Sequence, residues 1–261
     1  MPEFLRRAGT AAVLLAILIA ALFLLPRAGI AALAALVVGI ASLEWARLCG
    51  AGPAAARFYA GAIVVSMAVF FFLELFVPTF LAACAFWIVA APVWLGVGVK
   101  PQQRTMLLGA GFLVLLPPAL ALSMLPPGEV LLVLLVVWIA DTAAYVVGRR
   151  WGRHRLAPSV SPGKTWEGAA GGLIGAAAYA MILSILLAGV EATRMAMFFG
   201  AAALLVPVSI VGDLFESAAK RQAGVKDSGA LLPGHGGMLD RIDSATATLP
   251  VAAVLIPLLK S

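Results

Sequence analysis

Long apolar runs, cut at short intervals by proline, glycine or charge, dominate the pattern of this chain. A hydrocarbon core of about 30 Å takes roughly 20 apolar residues of helix to cross. Runs of that kind lie near residues 10–25, 28–46, 58–77, 79–99, 105–125, 129–148, 168–189, 195–213 and 244–259. They predict about nine transmembrane helices. The breaks fall at Pro26-Arg27, Gly50 to Pro53, Pro78, Lys100-Pro101 and Pro126 to Gly128. The expected fold class is an all-α polytopic membrane protein. Arg6-Arg7 ahead of the first run resembles a secretory leader, but Leu25-Pro26-Arg27 offers no small-x-small cleavage site. A second run follows at once, so an uncleaved first helix is expected.

Composition agrees. Of 261 residues, 63% are hydrophobic and 11% charged, against about 25% charged in a soluble domain. A water-facing globular enzyme is excluded, and so is a disordered chain. Cys49 and Cys84 provide neither a disulfide framework nor a zinc spacing. His154 and His235 are the only histidines, too few for a histidine-rich metal site.

Charge sets the orientation. With nine spans, one side receives the N-terminus and the segments 47–57, 100–104, 149–167 and 214–243, and with them fifteen of the 18 lysines and arginines. The other side receives Arg27, Arg194 and Lys260. The positive-inside rule then predicts a cytoplasmic N-terminus and two long cytoplasmic loops. The compact chain suits a bacterial inner (plasma) membrane. Cations alone would set topology and meet anionic lipid. They do not explain the acids beside them.

The acids divide the chain. Residues 1–128 form a hydrophobic half, in which Glu44 and Glu74 count as scaffold whose neutralisation should leave function intact. Residues 129–261 carry the chemistry, within one domain. Eight acidic residues lie between 141 and 243, seven of them in two clusters. In the first, Asp141 sits inside an apolar span, a costly position that usually faces a polar cavity or a partner. Asp141, Tyr145 and Arg149, at i, i+4 and i+8, share a helical face. Next comes Ser161-Pro162-Gly163-Lys164-Thr165-Trp166-Glu167-Gly168. It is no P-loop, because Pro158 stands where the first glycine is needed and no preceding strand is expected. What remains is a lysine-bearing turn at a helix N-terminus, where free N–H groups favour anions. Gly168, Gly171, Gly172 and Gly175 read as a close-packing stripe.

The second cluster runs from Gly212 to Ser244. If the eighth helix continues past the membrane, Asp213, Glu216, Ser217 and Lys220 share one face; Asp240 and Asp243 share another at the start of the ninth. Hard oxygen ligands from two places suit Mg²⁺, which takes one or two carboxylates and leaves room for phosphates. Lys220, Arg221, Lys226 and Arg241 supply positive charge for a polyphosphate. The glycines of Gly234-His235-Gly236-Gly237 let backbone N–H groups approach a ligand closely.

This stretch resembles the C-terminal motif of the phosphatidate cytidylyltransferases, the CDP-diacylglycerol synthases. The matching residues are Ser217-x-x-Lys220-Arg221, Lys226-Asp227, Gly229, Leu232-Pro233, His235-Gly236-Gly237-Met238 and Asp240-Arg241-Ile242-Asp243. Asp141-Thr142, Tyr145, Gly148-Arg149 and Ser161-Pro-x-Lys164-Thr165-x-Glu167-Gly168 match as well, so the resemblance covers the second half. Ala219 departs from the pattern, where a larger apolar residue is usual.

The resemblance implies transfer of the cytidylyl group of CTP to phosphatidate with Mg²⁺, with room for a second cation, by a homodimer in the membrane. On that footing Asp213, Asp240 and Asp243 are expected to hold metal. Asp141, Lys164, Glu167, Glu216, Ser217, Lys220, Arg221, Asp227 and His235 are expected to form the catalytic set. Tyr145, Arg149, Lys226, Gly236, Gly237 and Arg241 are expected to bind substrate. No nucleic-acid partner is expected. The rival readings are a CTP-dependent lipid-alcohol kinase, which would release CDP, and a transporter. A transporter would spread its polar residues through several spans near the midplane. Here they crowd one end of the last four helices.

Overall fold

The computed structural model describes Val13 and residues 15–188, 192–231 and 236–260. The first of the nine expected spans falls partly outside these residues; its described part is a ten-residue apolar helix, α1 (Leu15–Leu24). Eight described helical stretches are long and apolar enough to cross a membrane. They are α2 (Arg27–Leu48), α3 (Pro53–Phe72), a bent span of α4 (Phe76–Ala85) and α5 (Ala91–Val97), α6 (Arg104–Met124), α7 (Pro127–Trp151), α8 (Trp166–Ala188), α9 (Ala192–Gln222) and α10 (Leu239–Lys260). The chain is an integral membrane protein.

Two expectations need correction. Pro78 does not break the chain. It sits in the first turn of α4, where its missing N–H has no intrahelical acceptor to lose, and the break lies earlier, at Leu73–Leu75. There Glu74 turns the backbone with φ 54°. The architecture is helical as expected, but the stretch before α8 does hold strands: Arg155–Ala157 (β1) and Ser161–Thr165 (β2) form a small antiparallel hairpin between α7 and α8. The strand thought absent near Gly163-Lys164-Thr165 is therefore there. β1 precedes the motif and β2 contains it, so the P-loop stays excluded on Pro158, which stands in place of its first glycine.

Proline shapes the bent span too. A single π-turn, Phe86–Ala90, precedes Pro92, whose ring cannot sit in a regular ladder. The bend brings Phe86, Trp87 and Trp94 around Phe215 of α9, with ring centroids 5.3, 5.8 and 5.5 Å away. Trp45 of α2 stacks on the same ring at 6.2 Å. Its indole N–H donates to the Leu107 carbonyl of α6 at 2.9 Å. This aromatic knot pins the first half of the chain to α9, one residue before Glu216.

The glycine stripe of α8 packs as expected. A Cβ at Gly168 would lie 2.8 Å from the Ala144 carbonyl, at Gly172 3.0 Å from the Ala140 carbonyl, and at Gly175 2.7 Å from the Ala143 Cβ. All three neighbours are on α7, so the two backbones approach closely. Gly212 does the same for α9 against α10, facing the Asp243 carbonyl at 2.8 Å.

Alternation of the helices places the α2–α3 turn, the residues before α6, the hairpin and the α9–α10 loop at one end of the bundle. Hydrogen bonds confirm it: the Gln222 side chain at the end of α9 donates to the Leu48 carbonyl at the end of α2, at 2.7 Å.

Candidate active site

The polar residues of the second half gather at that end, in two neighbouring groups. The first is built on Lys164. Thr165, just after it, caps α8: its hydroxyl accepts from the Gly168 N–H at 3.0 Å, satisfying a donor the first turn leaves free. The cap holds the end of β2, and Lys164 reaches across to α9, pairing with Asp213 at 2.6 Å. Both side chains keep a quarter or more of their surface exposed. Asp213 also accepts from Ser217 at 3.2 Å, one turn on. Asp141 of α7 has Lys164 and Asp213 as its charged neighbours. Asp243 of α10 faces Asp213, Lys164 and Lys220, and accepts from the N–H of Ser244 at 2.7 Å. Carboxylates from three helices thus share the electrostatic neighbourhood of one lysine, with Asp213 in direct contact.

The second group is buried and closed. Lys220 pairs with Glu216 one turn before it and with Asp240 of α10, the latter at 2.6 Å. Asp240 spends its other oxygen on the Ser228 N–H at 2.9 Å, the Ser228 hydroxyl at 3.0 Å and the Gly237 N–H at 2.8 Å. Gly236, at φ 77°, makes room for it, since a Cβ there would lie 2.5 Å from the carboxylate. Glu216 is 3% exposed, and its Oε1 has no hydrogen-bond partner among the described residues.

α9 runs unbroken to Gln222, so Asp213, Glu216, Ser217 and Lys220 do share a face. Tyr145 and Arg149 pair with each other at 2.8 Å, with the ring largely exposed. Glu167 stands apart from the lysine groups. It accepts from the His154 ring at 2.6 Å and from the Arg153 and His154 N–H groups, closing the hairpin onto α8. Arg221 donates to the carbonyls of Val160 and Val225, both at 3.2 Å, joining hairpin to loop. Lys226, Asp227 and Arg241 are exposed around the rim. His235 lies outside the described residues. Ala219 is fully buried in the core.

Among the described residues no three histidine, cysteine, aspartate or glutamate side chains gather closely enough to cage a metal ion. Mg²⁺ does not require such a cage, because it commonly takes one or two carboxylates and completes its shell with water and substrate phosphate. The Asp213–Asp243 neighbourhood and the orphaned Glu216 oxygen fit that chemistry. Asp240 has less to offer, since both its oxygens are already engaged.

Sequence reasoning missed Glu44. It is 5% exposed in α2 and accepts from Ser228, Met238 and Leu239, all belonging to the α9–α10 loop or the start of α10. The signal was available, because a carboxylate inside an apolar span points to a partner by default. Ser228 and Gln222, which tie the same region, carried no such signal.

The family model for the cytidylyltransferase family matches residues 5–259. The phosphatidate cytidylyltransferase of Pseudomonas aeruginosa is 42% identical over 260 residues, covering 95% of this chain and 94% of that protein. The chain belongs to the phosphatidate cytidylyltransferase family. The family enzyme of Haemophilus influenzae is 49% identical over 125 residues, 46% of this chain and 42% of that protein. That of Brucella suis is 48% identical over 135 residues, 49% of each. The match through residue 259 takes in the aromatic knot and Glu44 as well as the motif half, so the family likeness extends over the hydrophobic half too.

Proposed function

We propose that this enzyme transfers the cytidylyl group of CTP to phosphatidate, giving CDP-diacylglycerol and pyrophosphate for phospholipid synthesis. The observation that carries this reading is the open group of Asp141, Asp213 and Asp243 around Lys164, beside the Lys220 cluster. The family relationship supplies the substrates. A phosphatidate oxygen attacks the α-phosphorus of CTP, the new P–O bond forms, and the bond to the pyrophosphate leaving group breaks. Phosphatidate is ionised near neutral pH, so no strong general base is needed, and no neutral histidine poised as one is required of the site.

The task left to the protein is to bring two anions together and to stabilise charge as it shifts to the leaving group. Lys164, freed from Asp213 by incoming phosphate, and Lys220 at the wall of the site meet the triphosphate. Lys226, Arg221 and Arg241 on the rim draw both substrates in. Asp213 and Asp243 would hold Mg²⁺, with Asp141 and Glu216 beside them. When bound, the ion supplies positive charge that screens phosphate repulsion and polarises the reacting phosphoryl group.

The site end of the bundle faces the cytoplasm of a bacterial inner membrane, as the fifteen-to-three bias of lysine and arginine favours. This side assignment does not depend on whether α1 crosses, because the loops 49–52, 98–103, 152–165 and 223–238 share one end in either case. The homodimer implied by the family resemblance belongs to the same proposal.

The test is purified protein in detergent with phosphatidate, Mg²⁺ and each nucleoside triphosphate in turn. CDP-diacylglycerol and pyrophosphate should form with CTP only when all three components are present. Release of CDP with a phosphorylated lipid alcohol would overturn the reading in favour of a kinase.

A further inference from the structure

Glu44 belongs to the half of the chain that carries none of the motif, yet it binds the region where the motif folds. Its Oε1 accepts from the Met238 N–H at 3.0 Å. Its Oε2 accepts from the Leu239 N–H at 2.8 Å and the Ser228 hydroxyl at 2.9 Å. Two of these donors are backbone groups at the mouth of α10, which no carbonyl of the helix can satisfy. The carboxylate therefore caps α10 from another helix, almost two hundred residues away in the chain. It is buried, no cation pairs with it among the described residues, and the N-terminal end of the helix offsets its charge.

The same donors lead into the site. The Ser228 hydroxyl lies within hydrogen-bond distance of both Glu44 and Asp240, and its single proton is shared between two carboxylates. Asp240 follows Leu239 directly and grips Lys220, which pairs with Glu216. Asp243 follows within the next turn of α10 and faces Asp213. The space is tight: a Cβ on Gly229 would come 2.6 Å from Glu44 Oε1, and one on Gly237 would clash with both Glu44 and Ser228.

We propose that Glu44 is a positioning residue for the cytidylyl transfer. It fixes where the first turn of α10 sits, and through that turn the placement of Asp240 against Lys220 and of Asp243 against Asp213. The assignment rests on the reading of the site given above. Glutamine is the informative substitution. An amide matches the carboxylate in shape but presents an NH₂ at one of its two ends, so either the Met238 or the Leu239 N–H loses its acceptor. The helix start then shifts, and small misplacements of reacting groups can cost about 100-fold in rate.

The experiment compares the parent, Glu44→Gln, Glu44→Asp and Ser228→Ala, with Glu74→Gln as a control at the exposed end of α3. For each, kcat and the KM values for CTP and phosphatidate are measured per folded molecule, well below the thermal unfolding temperature. Glu44→Gln should lower kcat by about 10-fold or more. Glu44→Asp, which keeps the charge, should recover part of that loss. Ser228→Ala leaves both backbone bonds to Glu44 intact and should lower kcat several-fold; it decides the matter if Glu44→Gln does not fold. A role confined to stability would lower the unfolding temperature and leave kcat per folded molecule at the parent value. An active parent with that result in Glu44→Gln and Ser228→Ala overturns the assignment alone. A parent inactive on phosphatidate and CTP overturns the reading of the site, and this assignment with it.

Discussion

The two lysine groups at the site end differ in how completely their oxygens are used. Asp213 has a partly exposed lysine and a single hydroxyl 3.2 Å away. Asp240 has a buried lysine, two backbone N–H groups and a hydroxyl. Both are aspartates beside a lysine in the same motif half, and residue type alone gave them the same expected role. Capacity separates them. A carboxylate with free lone pairs and solvent access can take a metal ion or yield its lysine to a phosphate. A saturated one holds the backbone in place.

The largest effect should come from the open group. Asp213→Asn should lower kcat by about 100-fold or more, the scale seen when a designed charge contact to a transition state is lost. Its thermal unfolding should stay near the parent, because only one weak hydrogen bond and a partly exposed ion pair are weakened. Asp240→Asn should behave differently. It should lose activity and stability together, the latter by roughly 3 kcal/mol, since a buried ion network loses one of the two carboxylates that hold Lys220 and two backbone N–H groups lose a charged acceptor. Calorimetry or a thermal-shift series on the two variants would break the comparison if both melted alike.

A smaller effect is expected at Glu167. Glutamine there weakens a clamp on an exposed hairpin, so turnover should fall only a few-fold, as befits a solvent-screened ion pair. A loss as large as that of Asp213→Asn would move Glu167 into the reacting centre. Least affected of all should be Cys49, five residues after Glu44. Burial pushes its thiol up to about 12, against a lowering influence from Arg104, so it stays protonated at ordinary pH. Alkylation at pH 8 should be slow in the folded parent and faster in Glu44→Gln if that substitution loosens the end of α2.

Much of this architecture is legible in the chain. Apolar length alone places five of the eight described spans within three residues at each end; it sets α3 five residues late and stops α9 nine residues short, and the i, i+3, i+4, i+7 spacing puts Asp213, Glu216, Ser217 and Lys220 on one face. Proline position is legible only with its helix context: Pro53 and Pro127 open helices as N1 residues, and Pro78 is tolerated within the first turn of α4 for the same reason. Two things were not legible. The hairpin is stabilised by Glu167 reaching back to His154 and by packing of Gly152 against Thr165, neither of which has a periodic signature. The division of labour between Asp213 and Asp240 depends on Ser228, Gly237 and Glu44, residues brought together by tertiary packing from separate parts of the chain.

The central claim is that the open group, and not the closed one, takes the divalent ion. Binding of Mn²⁺ in place of Mg²⁺ to purified protein with CTP, followed by electron paramagnetic resonance below the unfolding temperature of each variant, tests it without relying on turnover. Asp213→Asn should lose the protein-bound Mn²⁺ signal while Asp240→Asn keeps it. Retention by Asp213→Asn with loss by Asp240→Asn would contradict it.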